Sequence, residues 1–453
     1  MAKKRRNNRN TNNNINVGFI SLGCPKNTVD SETMLGKLAQ KGFCIVGDIE
    51  LADAVIVNTC GFIESAKQEA IDQLKDAASY KENGRLQCVI AAGCLAQRMG
   101  KELLEAVPEI DAVVGLADRD NIDKIVLNSV KSFEKRSYLS ENNNFIADDR
   151  GRLLTTPSHY AYLRISEGCD RKCGFCTIPS IRGKFRSKPL KAVAREAEEL
   201  SKSGIKELII IAQDSNYYGK DLGIENGLVE LLNVLENFDF KWIRVMYLYP
   251  ATVTEELIEK IASSDKILPY IDIPIQHINN EILKSMHRAD TQEKTTALVE
   301  SLRKKIPGIV LRTTVITGYP GETEENHRQL VDFIKWAKFD ALGCFIFSPE
   351  EGTYAASLSN EVPQEIKEKR LEEIMLTQQE IAFSKNKAMI GKELEVIIDT
   401  VYEDGTADAR YYGQAPEIDS ICIITNCRAK PGQFIKVRVV DYENYDLIAS
   451  QLR

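Results

Sequence analysis

From Asn16 onward, short apolar runs alternate with amphipathic stretches. Residues 17–22, 53–57, 87–91 and 110–114 form apolar runs of strand length, which predicts a parallel sheet. Between them Met34, Leu35 and Leu38, and then Ala70, Ile71 and Leu74, recur at helical spacing, the first set stopped by Gly42. This βαβα order predicts a doubly wound α/β domain over residues 16–142, followed by a polar linker at 141–151.

A second series follows. Apolar runs at 160–166, 207–212, 243–248, 270–275, 309–316 and 341–347 alternate with helical stretches such as Leu190, Val193, Ala197 and Leu200, stopped by Gly204. Six such units over residues 152–390 predict a partial (βα)6 barrel rather than a full eight. Residues 362–390 predict a connecting helix burying Leu371, Ile374, Met375, Gln378 and Ile381, with Gly391 as its stop. Beyond it, 391–453 carry β-like runs (394–398, 421–424, 434–440) between turn residues and predict a small all-β barrel. At the other end, Lys3, Lys4, Arg5, Arg6 and Arg9 stand among asparagines with no apolar periodicity, so residues 1–15 read as a disordered basic tail, with an arm touching RNA or the ribosome as the alternative.

Composition narrows this picture. A length of 453 residues allows about three domains of roughly 150 residues each. With 43% hydrophobic and 28% charged residues, wholesale disorder and collagen-like structure are excluded. The longest apolar runs, such as 208–212, fall well short of the roughly 18 to 20 residues of a membrane span, and no stretch near Met1 resembles a signal peptide. The expectation is a cytoplasmic protein with no membrane partner. Its net charge of −7 argues against a surface built throughout to coat nucleic acid. Eleven cysteines in such a chain favour metal ligands or reactive thiols over disulfides.

Cys169, Cys173 and Cys176 form C-x-x-x-C-x-x-C directly after the run 160–166. Three soft thiolates on one short loop point to an iron–sulfur cube, and three ligands for four irons leave one iron open to chelate a substrate group. A closed zinc site or a redox cube with a distant fourth ligand is the alternative, disfavoured because no His is near and the spacing departs from paired C-x-x-C. Cys24, Cys60 and Cys94 each follow one of the first three candidate strands, so all three face one sheet edge, where open α/β sheets bind ligands. The other five, Cys44, Cys88, Cys344, Cys422 and Cys427, lie within or beside apolar runs and read as small core residues.

The loop Glu167-Gly168-Cys169-Asp170-Arg171-Lys172-Cys173, with Phe175 before Cys176, resembles the radical S-adenosylmethionine superfamily. The resemblance implies that the open iron binds the amino and carboxylate groups of S-adenosylmethionine, whose reductive cleavage yields a 5′-deoxyadenosyl radical. It also implies cofactor contacts at Phe175, at Gln213 and Asp214, where the superfamily carries a Gly-Gly-Glu run and this chain reads Ala212-Gln213-Asp214, and at Gly318 and Gly321. An ordinary βα turn is the alternative for these two glycines. His277 and Arg288, after the fourth strand, stand where they could meet substrate or cofactor, but such rim residues are as often structural, and neither is assigned a catalytic role.

Two three-cysteine sets followed by a small β domain, with Ser21-Leu22-Gly23-Cys24-Pro25-Lys26-Asn27, Asn58-Thr59-Cys60-Gly61-Phe62-Ile63 and Ala92-Gly93-Cys94, resemble the methylthiotransferases. That family implies two 4Fe-4S clusters, an external electron donor and two S-adenosylmethionine molecules per product: the first cluster carries the inserted sulfur and accepts a methyl group, and the second makes the radical. No catalytic residue is assigned beyond the cluster ligands, since radical chemistry at carbon needs positioning rather than an acid–base pair. The last domain resembles the TRAM domain. Its seven basic and eleven acidic residues, net −4, suit a basic protein partner better than phosphate. With Ala415-Pro416-Glu417-Ile418-Asp419 after Tyr411-Tyr412-Gly413-Gln414, and the residues from Ser21 to Glu32, it is similar to the protein-modifying RimO type, whose substrate is an aspartate β-carbon of small-ribosomal-subunit protein S-twelve. Two other readings stay open: a MiaB-like enzyme acting on transfer-RNA adenosine, and a non-catalytic iron–sulfur carrier.

Overall fold

The computed structural model describes residues 15–82, 84–132, 134–140 and 148–452, and divides into two compact units, residues 1–155 with 180–183 and residues 156–179 with 184–453. The tail expected over 1–15 lies, Ile15 apart, outside the described residues, as does most of the expected linker.

In the first unit six strands, β1 (Asn16–Ser21), β2 (Cys44–Val46), β3 (Ala54–Thr59), β4 (Cys88–Gly93), β5 (Ala112–Val114) and β6 (Arg136–Tyr138), form one parallel sheet of order β2-β1-β3-β4-β5-β6. Helices cover both faces. Val55, Val57, Val89 and Ala91 pack with Ala70, Leu74 and Ala77 of helix Glu64–Ser79, while Ala54, Ile56, Cys88 and Ile90 pack with Met34 and Leu38 of Pro25–Gln40 and with Ile122 and Ile125 of Ile122–Lys131. Strands buried on both sides read as continuous apolar runs, which is why these were visible in the sequence. The edge strands β2 and β6 were not, being three residues long and partly exposed. Cys24, Cys60 and Cys94 therefore follow β1, β3 and β4 rather than three successive strands. Cys44, on β2, is exposed and is not a core residue; Cys344 and Cys427 are only partly buried, while Cys88 and Cys422 are core.

The second unit opens with β7 (Tyr160–Arg164) and the antiparallel pair β8 (Ser166–Glu167) and β9 (Arg186–Ser187). Then β10 (Glu207–Ile211), β11 (Trp242–Val245), β12 (Ile267–Asp272), β13 (Val310–Thr317) and β14 (Ala341–Ile346) join β7 in an open parallel sheet, order β14-β13-β12-β11-β10-β7. Crossover helices are capped where they begin, Thr254, Thr291 and Thr323 each accepting a backbone N–H in the first turn. The connecting helix Gln364–Met389 buries Lys367, Arg370, Ile374, Thr377, Gln378 and Ala382, leaving Leu371, Met375 and Ile381 only half-buried. Its inner face is more polar than its apolar spacing implied because the polar groups are paired: Arg370 donates to the carbonyl of Glu322 (3.0 Å) and Gln378 to that of Phe339 (3.0 Å).

Strands β15 (Glu393–Val401), β16 (Ala407–Tyr411), β17 (Cys422–Thr425), β18 (Phe434–Glu443) and β19 (Asp446–Gln451) close into a barrel, order β15-β16-β17-β19-β18, around Val396, Ile398, Ile424, Val437 and Leu447. Its loop between β16 and β17 docks near the N-terminal ends of the half-barrel strands. Buried Glu207 binds Arg244 (2.8 Å) and Arg410 (2.6 Å), and Arg244 also donates to the carbonyls of Tyr412 (2.8 Å) and Gln414 (3.1 Å). The hydroxyls of Tyr160 and Tyr162 donate to Glu417 (2.9 and 3.2 Å), that of Tyr270 to Asp419 (2.7 Å), and Arg312 pairs with Asp272 and Asp419. Glu417 and Asp419, read in the sequence as marks of the protein-modifying type and counted toward an acidic steering surface, are thus engaged inside this unit.

Candidate metal centres

The first thiol set lies at the C-terminal edge of the first sheet. The strand order reverses between β1 and β3, so the switch point where such sheets bind ligands falls between the loops of Cys24 and Cys60. The loops press together: a Cβ at Gly23 would stand 3.1 Å from Cys60 Sγ, and one at Gly61 2.7 Å from Leu95 Cα, so both positions require glycine. Asn27 ties the set, its Nδ2 donating to the carbonyls of Leu22 and Thr59 (both 3.0 Å) while its Oδ1 accepts from Cys94 Sγ (3.4 Å) and Arg182 (2.7 Å). Burial would push the Cys24 thiol up, yet Lys26, Arg182 and the amides of Asn27 and Lys26 at the start of helix Pro25–Gln40 together hold it below its ordinary value. Burial dominates at Cys60, which is raised, and at Cys94, pushed up to about 11. Cys60 feels the charge of Cys24, and Cys94 that of both.

The second set occupies the loop after β7 and β8. Cys169 and Cys176 are pushed up by burial to about 11 and about 12, and Cys173 is raised. Arg171 anchors this loop: its Nε donates to Asp214 (2.7 Å), its Nη2 to Thr252 (3.2 Å), and its guanidinium lies 4.0 Å from the Tyr249 ring. Arg288, 4.4 Å from the same ring, pairs with Asp290, and its positive charge opposes the rise that burial gives the Cys173 thiol. Backbone bonds from Gly174 to Met286 (2.9 Å) and from Ala355 to Gly174 (2.7 Å) complete the clamp. Arg171 and Tyr249 were missed in the sequence, since nothing local marks a side chain as the anchor of a distant loop. Arg288 was noticed, and its charge acting on Cys173 now gives it a place beside the thiols. His277 is buried and accepts from the amide of Asn279.

The expected cofactor contacts fall out unevenly. Gln213 donates to Glu167 (3.3 Å), and its Oε1, with Ser166 Oγ and Asn216 Oδ1, is buried without a hydrogen-bond partner among the described residues. These are orphan acceptors at the C-terminal ends of the half-barrel strands, where a ligand's donors would satisfy them. Asp214 pairs with Arg171 through Oδ2, and its Oδ1 is a further buried acceptor without a hydrogen-bond partner among the described residues. Phe175 packs against the cluster of Ile282, Met286, Tyr319, Phe347 and Ala355, which fixes the loop. Gly318 (φ +72°) is crowded by the connecting helix, a Cβ there standing 2.3 Å from Lys367 Cγ, whereas Gly321 (φ +84°) faces open space and serves a turn.

Among the described residues no three His, Cys, Asp or Glu side chains crowd closely enough for a single metal ion. A cube asks for a wider triangle, because each cysteine binds a different iron. Two sets of three thiols, each mutually within electrostatic reach, at least partly buried and with arginine beside it, fit that group. Burial pushes Cys88, Cys344 and Cys422 up to about 12, which keeps these thiols protonated.

Residues 16–115 match a family described as uncharacterized, UPF0004; residues 163–334 match the Radical SAM superfamily, and residues 390–451 the TRAM domain. The ribosomal protein uS12 methylthiotransferase RimO of Clostridioides difficile (strain 630) is 46% identical over 440 residues, covering 97% of this chain and 99% of its own. Its namesake in Desulforamulus reducens is 44% identical over 437 residues, 95% and 98% of the two chains. Among solved structures, the radical S-adenosylmethionine methyltransferase TsrM of Kitasatospora setae, with tryptophan and a cofactor analogue bound, matches with a TM-score of 0.55 at 14% identity, over 85% of this chain and 79% of its own. That likeness speaks to the fold alone. Identity at the level of the two curated relatives, carried across nearly the whole of both partners, shows that this chain belongs to the RimO family of methylthiotransferases.

Proposed function

We propose that this chain is a radical S-adenosylmethionine methylthiotransferase acting on ribosomal protein uS12, placing a methylthio group on the β-carbon of an aspartate to give β-methylthioaspartate. The observation that carries the reading is the pair of three-thiol sets, each at the C-terminal edge of its own parallel sheet, in a chain whose relatives are named for this substrate. Cys24, Cys60 and Cys94 would hold one 4Fe-4S cluster and Cys169, Cys173 and Cys176 the other, each with one iron left for a non-protein ligand. When bound, the clusters and S-adenosylmethionine supply the electron, the radical and the sulfur, drawing on an external electron donor.

The residues of this chain position and exclude. Arg171 and Arg288, each with its own carboxylate and sharing the Tyr249 ring, hold the loop of Cys169 to Cys176 rigid. Gln213 Oε1, Ser166 Oγ, Asn216 Oδ1 and Asp214 Oδ1 present acceptors that suit the amino group of S-adenosylmethionine. Cys94 is buried and the other five thiols are partly buried, which limits the water that reaches them. The reaction belongs to the cytosol, where ribosomes are.

The test is anaerobic: the reconstituted chain is given ribosomes, transfer RNA, reductant and methyl-labelled S-adenosylmethionine, and the label is located by mass spectrometry. Methylthio label on an aspartate of uS12 is the expected result. Label confined to transfer-RNA adenosine would replace the substrate, and no deoxyadenosine at all would overturn the enzyme reading.

A further inference from the structure

The first unit buries an arginine that the roles above leave unused. Arg182 ends the short helix Ile178–Arg182, six positions after Cys176, and groups with the first unit as part of Ser180–Gly183. Its guanidinium is buried, and Nη2 donates to Asn27 Oδ1 (2.7 Å), Asp30 Oδ2 (3.0 Å) and Cys94 Sγ (3.3 Å). Arg119, equally buried, pairs with the other oxygen of Asp30. A guanidinium is charged at every working pH, and in a dry site its field on a neighbouring sulfur is large.

We infer that Arg182 is a positioning residue of the first cluster, hydrogen-bonding the Cys94 sulfur and raising the reduction potential of the group that Cys24, Cys60 and Cys94 hold. The inference rests on the proposed function, which puts a cluster there. Donors and positive charge at a ligand sulfur favour the more negative, reduced state, so they shift the potential upward. Asn27 orients the same guanidinium: its Oδ1 accepts from both Arg182 and Cys94, placing the three groups in one hydrogen-bonded triangle.

The experiment uses the full-length chain with Cys169, Cys173 and Cys176 replaced by alanine, in which only the first cluster can assemble. Anaerobic redox titration followed by electron paramagnetic resonance reads its midpoint, with iron counts and far-ultraviolet circular dichroism controlling for assembly and fold. Arg182→Met is expected to keep the fold and lower the midpoint by about 59 mV, on the order of a tenfold change in a one-electron reduction constant. Arg182→Lys, which keeps the charge but not the fork of donors, is expected to fall between it and the parent. If Arg182→Met folds but loses its iron, the lysine variant decides: a shifted midpoint supports the inference and an unshifted one overturns it. A loaded parent with unshifted variants overturns the role of Arg182 alone, whereas a parent that binds no cluster overturns the underlying reading with it.

Discussion

At Glu322 one buried carboxylate organises the loop after β13. Its Oε2 accepts from the amides of Gly318 and Tyr319, and its Oε1 lies 3.6 Å from Arg370, 3.7 Å from His327 and 4.0 Å from His277. Burial alone would push it up, but the two histidines and Arg370 hold it at about 2. A carboxylate whose folded value lies below its unfolded value of about 4.3 stabilises the fold above that pH, and loses the contribution as pH falls toward about 2; the amount is on the order of 3 kcal/mol. His327 has the opposite sign. Burial would lower it, but Glu322 and Glu373 raise it, so its contribution is complete below about pH 6.5 and is lost as pH climbs through the raised value. Denaturant midpoints measured from pH 3 to 9 should therefore show an acid limb that Glu322→Gln flattens while lowering the plateau by about 2–4 kcal/mol. At the same loop Gly318→Ala must both strain φ and displace Lys367, and should cost more than Gly321→Ala, which strains φ alone at about 1 kcal/mol. Thermal melts of the two variants check the order.

At the scale of elements, the cysteine loop keeps its shape through side chains far away in the sequence. Asp214→Asn removes the charge that Arg171 faces from across the strand ends, while the cysteines stay in place. The second cluster should then be held about 10- to 100-fold less tightly, which chelator competition with iron counting would read as loss of one cluster before the other. The three cysteines of this loop were legible from spacing alone, because a short chelating loop is a local device. Its anchors Arg171, Tyr249 and Arg288 join at the Tyr249 ring through tertiary folding, and no periodicity announces that. The connecting helix teaches the same: its length and stop were readable, as was the burial of Ile374 and Gln378, but Lys367 and Arg370 joined the buried face once partners existed, as Arg370 has in the carbonyl of Glu322.

At the scale of the molecule, the second unit is knit by buried charge. Arg410 of the small barrel joins Glu207 of β10 to Asp399 of β15, and His159 meets Asp399 at 2.7 Å. Arg410→Met would leave Glu207 with Arg244 and Asp399 with His159 as their remaining partners, a loss of about 3–5 kcal/mol, and adding Glu207→Leu should cost less than the two single losses summed. Calorimetry of the single and double variants gives the coupling. Because Glu417 and Asp419 also reach half-barrel tyrosines and Arg312, the half-barrel and the small barrel should unfold in one transition, and Val396→Ala in the small barrel should lower that same transition by about 0.5–3 kcal/mol. Two separate transitions would contradict the shared network.

What the amino-acid order determined by itself is what repeats or chelates: the apolar runs of strands covered on both faces, the alternating helices, and two sets of three cysteines after strand ends. Those signals are local or periodic, so folding leaves them intact. Only the tertiary structure decided the edge strands, whose few half-exposed residues carry no pattern, and the use of the acids in the last domain, which depends on which arginines and tyrosines they meet. It also decided which arginines stand at the thiols, since a charge is placed in space by the packing of distant elements rather than by its neighbours in the chain.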